Sequence, residues 1–325
     1  MALLTKFLIT TALIFNGLTH LNQLKNNKNE AWMSKLPDDK KIVLINLPGT
    51  HDSASFNNLM GINRYAQCQS LNITEQLKIG VRKFDLRVVL DVFTDSLISC
   101  HGPAYCYYKD EKKKIHFLLF EIILLEIKSF LEQNPTETVF FSIDSCFGNR
   151  YENIKAASEF FEELIPEEMR VKFQRDLTLA DTRGKFIHDF YKSGIVDAEG
   201  KALYYYGLNG NGLSEIHKKY GDYEAYKVDG RQKVKELEEL FEKCDQTSIE
   251  DAENDLNTYP TNYPLIYSIS CTGQAKNLLP NPKKMSKIVN PFVLDYDMKK
   301  GYYYGWINMD FAEKNIVDKI INTNF

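Results

Sequence analysis

The chain has 325 residues, 44% of them hydrophobic and 26% charged, which is enough apolar mass for a sizeable core and speaks against global disorder. Its formal net charge of −4 argues against nucleic acid, which asks for a clustered basic face, and against membrane attachment driven mainly by lysine and arginine. Any lipid contact has to be apolar and aromatic, and 19 tyrosines with 20 phenylalanines can supply it.

At the N-terminus, Lys6 precedes a mostly apolar stretch over 7–15, long enough for the core of a signal peptide and too short to span a bilayer. Residues 1–20 are therefore predicted to be a signal peptide and 21–325 a single mature domain, secreted or in the lumen of the secretory pathway. A buried core helix is the alternative, but it would stand before the polar run "NQLKNNKNE" with no partner segment nearby. Six cysteines (Cys68, Cys100, Cys106, Cys146, Cys244 and Cys271) follow, and an even number suits an oxidising compartment, although their pairing is not readable from spacing. No CxxC pair or Cys/His cluster suggests zinc. Asn72-Ile73-Thr74 is a glycosylation acceptor pattern.

Apolar, β-rich runs recur at 41–47, 81–89, 138–144, 184–190, 263–270 and 302–311. Helical patterns lie between them, the clearest at 114–133 before the stop signal Asn134-Pro135, with others at 151–164, 234–244 and 312–321. Strands alternating with helices predict an α/β fold with parallel strands, and a (β/α) barrel-like single domain is the leading architecture. In such barrels the chemistry sits at the C-terminal ends of the strands.

Several chemically capable groups fall at strand ends. In "LINLPGTHDSASF" an apolar run stops at Pro48-Gly49 and His51-Asp52 follows at once. In "GVRKFDLRVV" Asp85 and Arg87 stand two apart, so both side chains project from one face of a strand, with Lys83 on the same side. "SLISCHGPAYC" places His101 after an apolar run, and "GWINMDF" ends near Asp310. Taken singly, each has a structural reading: a satisfied histidine, an ion pair, a capped turn.

Taken together, "LPGTHDSASF", "GVRKFDLRVV" and "CHGPAYC" resemble the X-region of phosphatidylinositol-specific phospholipases C, in that family's order. "NPTETVFFSID", "DTRGKF" and "GYYYGWINMDF" resemble its bacterial-type, single-domain, metal-independent members. The resemblance implies a distorted (β/α) barrel that cleaves phosphatidylinositol, or a glycosylated form of it, to diacylglycerol and a cyclic inositol phosphate. It implies His51 as general base and His101 as general acid, since imidazoles titrate near neutrality. Asp310 matches the position that holds the base, Asp52 the one that supports the acid side, and Arg87, steadied by Asp85, the one that meets phosphate charge. Calcium-dependent members carry a carboxylate where this chain has Arg87, so no metal or other cofactor is implied.

The headgroup-binding set departs from the family pattern. A lysine after the "FFSID" strand is replaced near Asp144, an arginine after the "RGK" strand by His188 or Asp189, and a later Asp/Tyr pair maps to Glu224 and Tyr226. The implied partner is a phospholipid at a membrane surface, met transiently through rim residues such as Leu59, Met60, Ile62 and Tyr65, with neither nucleic acid nor a protein partner implied. One alternative is a secreted lipid- or inositol-phosphate-binding protein on the same barrel without turnover, which the complete proton-transfer set disfavours. A metal-dependent barrel phosphodiesterase is another, and Arg87 speaks against it.

Overall fold

The computed structural model describes residues 29–59, 63–174, 176–190, 230–258, 268–272 and 281–325. Its strands are β1 (Leu47–Thr50), β2 (Lys83–Asp91), β3 (Ser96–His101), β4 (Ala104–Tyr105), β5 (Tyr107–Lys109), β6 (Ile115–Phe117), β7 (Val139–Ser145), β8 (Arg170–Lys172), β9 (Phe186–Phe190), β10 (Ser268–Cys271) and β11 (Trp306–Met309). The main sheet runs β10-β11-β1-β2-β7-β9-β8, and each of these neighbouring pairs is parallel. Helices connect them, as the predicted α/β alternation requires. Among the described residues the edge strands β10 and β8 do not pair, so the sheet is barrel-like without a closed seam.

Period-2 geometry explains how the sheet packs. On β2, Phe84, Leu86 and Val88 are fully buried on the helix-covered side, whereas Lys83, Asp85 and Arg87 turn inward. The outer layer is aromatic: Phe141 of β7 meets Phe161 of the helix Arg150–Leu164, which also packs on Phe186 of β9. The helix Phe120–Gln133 buries Phe120, Ile123, Leu124, Ile127, Phe130 and Leu131, a 3.6-period stripe laid on the sheet. Inside, Phe140, Phe173 and Trp306 pack together, with the Phe140 and Trp306 ring centres 4.5 Å apart, and plug the end where the strands begin. One layer higher, Gly49 pairs with both Lys83 and Asn308. A Cβ there would lie 2.6 Å from Asn308 Oδ1, so only glycine fits between these neighbours.

Some elements lie elsewhere than the sequence patterns predict. The run 41–47 forms a 3-10 turn at Ile42–Leu44, and β1 begins only at Leu47. Asn46 interrupts the run: its side chain donates to the Tyr302 carbonyl and accepts from the Tyr304 and Gly305 amides. The helix predicted from 114 starts at Phe120, because Ile115–Phe117 pairs with Tyr107–Lys109 as a hairpin. Residues 83–101 include an unpredicted antiparallel extension, in which Val88–Asp91 pairs with Ser96–Ser99. The Asn72 side chain is engaged in a capping box with Glu75 at the start of the helix Ile73–Ile79.

Of the six cysteines, Cys100 and Cys146 form a disulfide, while Cys68, Cys106, Cys244 and Cys271 are buried thiols. The bridge fastens the strand that ends at His101 to the turn after β7. Below the site, Arg82 and Glu137 form a fully buried ion pair at 2.8 Å, and Arg82 also donates to the Leu77, Val81, Asn29 and Glu30 carbonyls. No helix among the described residues is long and apolar enough to cross a membrane. The predicted signal segment 1–20 lies outside the described residues, as do Met60 and Ile62.

Candidate active site

His51 directly follows β1, and Asp310 directly follows the neighbouring parallel strand β11, so adjacent strand ends bring the two together. His51 Nδ1 lies 2.9 Å from Asp310 Oδ1. Arg87 Nη2 lies 3.1 Å from His51 Nε2. A guanidinium only donates, so this contact calls for a lone pair on Nε2, with Nδ1–H donated to Asp310. The geometry thus sets the tautomer of the neutral ring, with the Nε2 lone pair turned toward Arg87.

Asp52 stands between the two histidines. Its Oδ2 lies 3.4 Å from His51 Nε2 and 3.2 Å from His101 Nε2, and its Oδ1 lies 2.6 Å from Arg87 Nε. It is buried and adopts a φ of +39°, a strained backbone that aspartate tolerates better than most residues. The turn is held by the neighbouring strand: the Ser53 amide donates to the Asp85 carbonyl, and the Asp52 amide to Asp85 Oδ2. Asp85 also stands 3.8 Å from Arg87 Nη2, below the guanidinium.

His101 ends β3, the antiparallel strand that returns from the β2 extension. Its Nδ1 donates to the Ala66 carbonyl at 2.6 Å, which leaves Nε2 facing Asp52. The two imidazoles are 6.2 Å apart, edge to face, and the Nε2 atoms of both lie within 3.4 Å of Asp52 Oδ2. His51, Asp52, Asp85, Arg87, His101 and Asp310 are therefore one constellation, and the buried carboxylates form its floor.

Electrostatics follow from this burial. Removal from water works against a charged His51 ring, but Asp52 and Asp310 outweigh it and raise the pKa to about 9, with Arg87 opposing them. Burial pushes the Cys68 thiol well above its usual range, and Asp310 and Asp52 push the same way. His51, Asp52 and Cys68 place ligand-type atoms within 4.8 Å of one another. That trio suits a cation poorly, because Arg87 already contacts the first two and the thiol stays protonated.

No family model matches the chain. A 1-phosphatidylinositol phosphodiesterase of Staphylococcus aureus is 26% identical over 351 residues, spanning 98% of this chain and 98% of that protein. One from Listeria monocytogenes is 25% identical over 315 residues, spanning 93% of this chain and 87% of that protein. A solved phosphatidylinositol-specific phospholipase C from Staphylococcus aureus aligns with a TM-score of 0.67 at 20% identity, covering 92% of this chain and 99% of that one. The Listeria monocytogenes counterpart gives 0.57 at 17% identity, covering 91% and 99%. Over nearly its whole length the chain is thus similar to bacterial phosphatidylinositol-specific phospholipases C and shares their fold.

Measured against that family's pattern, the headgroup candidates divide. Asp144 pairs in register with Arg87 at the mouth and contacts Arg150 at 2.9 Å, so it sits where a headgroup could reach it. His188 does not. It pairs with Phe141, shares that residue's outward face, and packs 4.9 Å from the Phe161 ring. Burial, with Arg170 and Lys172 nearby, lowers its pKa to about 4, as befits a neutral ring in the helix layer. Glu224 and Tyr226 lie outside the described residues.

Other supporting residues carry no sequence signal. Gln69 donates to the His51 and Met309 carbonyls and accepts from the Ala312 amide, tying the His51 and Asp310 turns together. Asn290 donates to the Asp310 and Phe311 carbonyls. Cys68 lies 3.6 Å from His101 Nδ1. Each comes from a segment between the motifs, where only the folded chain reveals proximity.

Proposed function

We propose that this chain cleaves phosphatidylinositol to diacylglycerol and inositol 1,2-cyclic phosphate by general base–acid catalysis without a metal. His51 Nε2 takes the proton of the inositol 2-hydroxyl as that oxygen attacks phosphorus. The bond from phosphorus to the glycerol oxygen breaks, and His101 Nε2 delivers a proton to that oxygen, so no water is consumed. Asp310 fixes the His51 tautomer and stabilises the cation it becomes. Arg87 offers its donors to the non-bridging oxygens, and Asp52 and Asp85 hold it in place.

The single observation that carries this reading is the shared carboxylate. Asp52 contacts both imidazoles and the guanidinium within 3.4 Å, so one proton-donating and one proton-accepting ring bracket one anion-binding group. Arg87 supplies in the same place the positive charge a metal would bring. The headgroup end of the pocket, including Asp144, decides whether a glycosylated lipid is also accepted. Secretion of the mature chain, after loss of residues 1–20, accords with a substrate presented on a membrane surface. Incubation with phosphatidylinositol micelles and a chelator, followed by phosphorus NMR, is expected to give a cyclic phosphate signal. A requirement for added calcium would overturn the metal-free assignment.

A further inference from the structure

Several of the large apolar side chains exposed among the described residues gather beside the site mouth. Tyr105 is the register partner of Cys100, one residue from His101. Its ring meets Phe117 at 5.5 Å and Phe147 at 5.9 Å, and these two are 44% and 40% exposed. Phe147 follows the disulfide-bonded Cys146, so the bridge fixes this ridge against the strand that carries His101. The β5–β6 turn beside Phe117 carries exposed Lys112, Lys113 and Lys114, a local basic run in a chain of net negative charge. The β2–β3 extension continues four residues beyond Arg87, about 13 Å, and its tip exposes Phe93 at 96%.

We propose that the Tyr105–Phe117–Phe147 ridge, with the Lys112–Lys114 turn, is the surface by which this chain docks on an anionic lipid bilayer. The inference rests on the proposed reaction, whose diacylglycerol product stays in the membrane and so requires lipid against the rim of the site. Aromatic rings suit the headgroup boundary, and lysines beside them suit an anionic surface. A free inositol phosphate would account for the charge but not for the exposed rings. The Phe93 tip adds a second apolar foothold on the side of the mouth.

The test is co-sedimentation of the full chain with sucrose-loaded vesicles of phosphatidylcholine containing phosphatidylglycerol, a composition that requires no turnover. The double variant Phe117→Ser/Phe147→Ser is expected to bind at least roughly tenfold more weakly. Replacing Lys112, Lys113 and Lys114 together by glutamine is expected to cost about fivefold in all, since Asp110 and Glu111 share the turn, and only on vesicles containing the anionic lipid. Phe325→Ser, 40% exposed at the opposite end beside Lys35, is expected to bind like the parent. An unchanged melting temperature identifies folded variants. Equal binding by the ridge variant and the parent, or an equal loss in Phe325→Ser, overturns the proposal, as does a parent that ignores vesicles. A parent that binds and loses affinity as expected, yet never cleaves phosphatidylinositol, leaves the docking surface standing and removes the proposed reaction alone.

Discussion

Replacing Asp310 by asparagine removes one charge and leaves the shape of the site unchanged. The Asp310 carboxylate accepts from His51 Nδ1 at 2.9 Å with both groups buried, so solvent does little to screen the loss. Two effects follow. The charge-assisted hydrogen bond, which contributes on the order of 1.5–3 kcal/mol, becomes a neutral one that contributes about 0.5–1.5, so about 1–1.5 kcal/mol is lost and the maximal rate should fall roughly 5- to 13-fold. The asparagine amide can also turn its NH2 toward the ring and favour the wrong tautomer, which moves the loss toward the larger figure. The second effect concerns pH. Asp310 is one of two carboxylates that raise His51 to about 9, and a general base works deprotonated. Its removal lowers the pKa of the base, so the ascending limb of kcat/KM should move to lower pH while the plateau drops. A water-soluble inositol phosphodiester assayed across the pH range reads both quantities without an interfacial step. An ascending limb that stays in place or moves to higher pH, or a plateau within twofold of the parent, would refute the assignment of His51 and Asp310.

Three further expectations concern stability. Glu137→Gln strips the charge partner from fully buried Arg82 and should cost about 3–5 kcal/mol in denaturant unfolding. Cys100→Ser opens a bridge between residues 46 apart in sequence, which should lower stability by up to about 4 kcal/mol and lower the melting temperature. Burial raises Glu126 to about 7, only partly offset by the Thr74 hydroxyl. Because that folded-state pKa lies above the unfolded one, stability should fall as pH rises from the ordinary carboxylate range through 7. Glu126→Gln should flatten the dependence, as measured by denaturant midpoints at several pH values.

The clustering of His51, Asp52, Asp85, Arg87, His101 and Asp310 was legible because they stand at strand ends with diagnostic spacing. Asp85 and Arg87 share a face by alternation alone, and His51-Asp52 follows a Pro-Gly that halts an apolar run. His188 was misplaced for a related reason. In "GKFIHDF" both faces of a buried parallel strand are covered, so the polar pattern does not reveal which residues point inward. The register with β7 decides it, putting Ile187 on the lumen side and His188 among the outer phenylalanines. Gln69, Asn290 and the Ala66 carbonyl act through contacts across the fold, and no local pattern marks them. The β2–β3 extension was hidden because "DVFTDS" carries none of the glycine-containing turn pairs that signal a tight hairpin.

The division of labour between the two imidazoles is tested most directly by changing the leaving group. His101→Ala should lose about 10²- to 10⁴-fold on phosphatidylinositol, yet recover most of its rate on an inositol phosphodiester whose leaving group is a nitrophenol, which needs no proton. His51→Ala should remain inactive on both, because the attacking hydroxyl still has to be deprotonated. Recovery by His51→Ala instead, or equal recovery by both variants, would contradict the assigned roles.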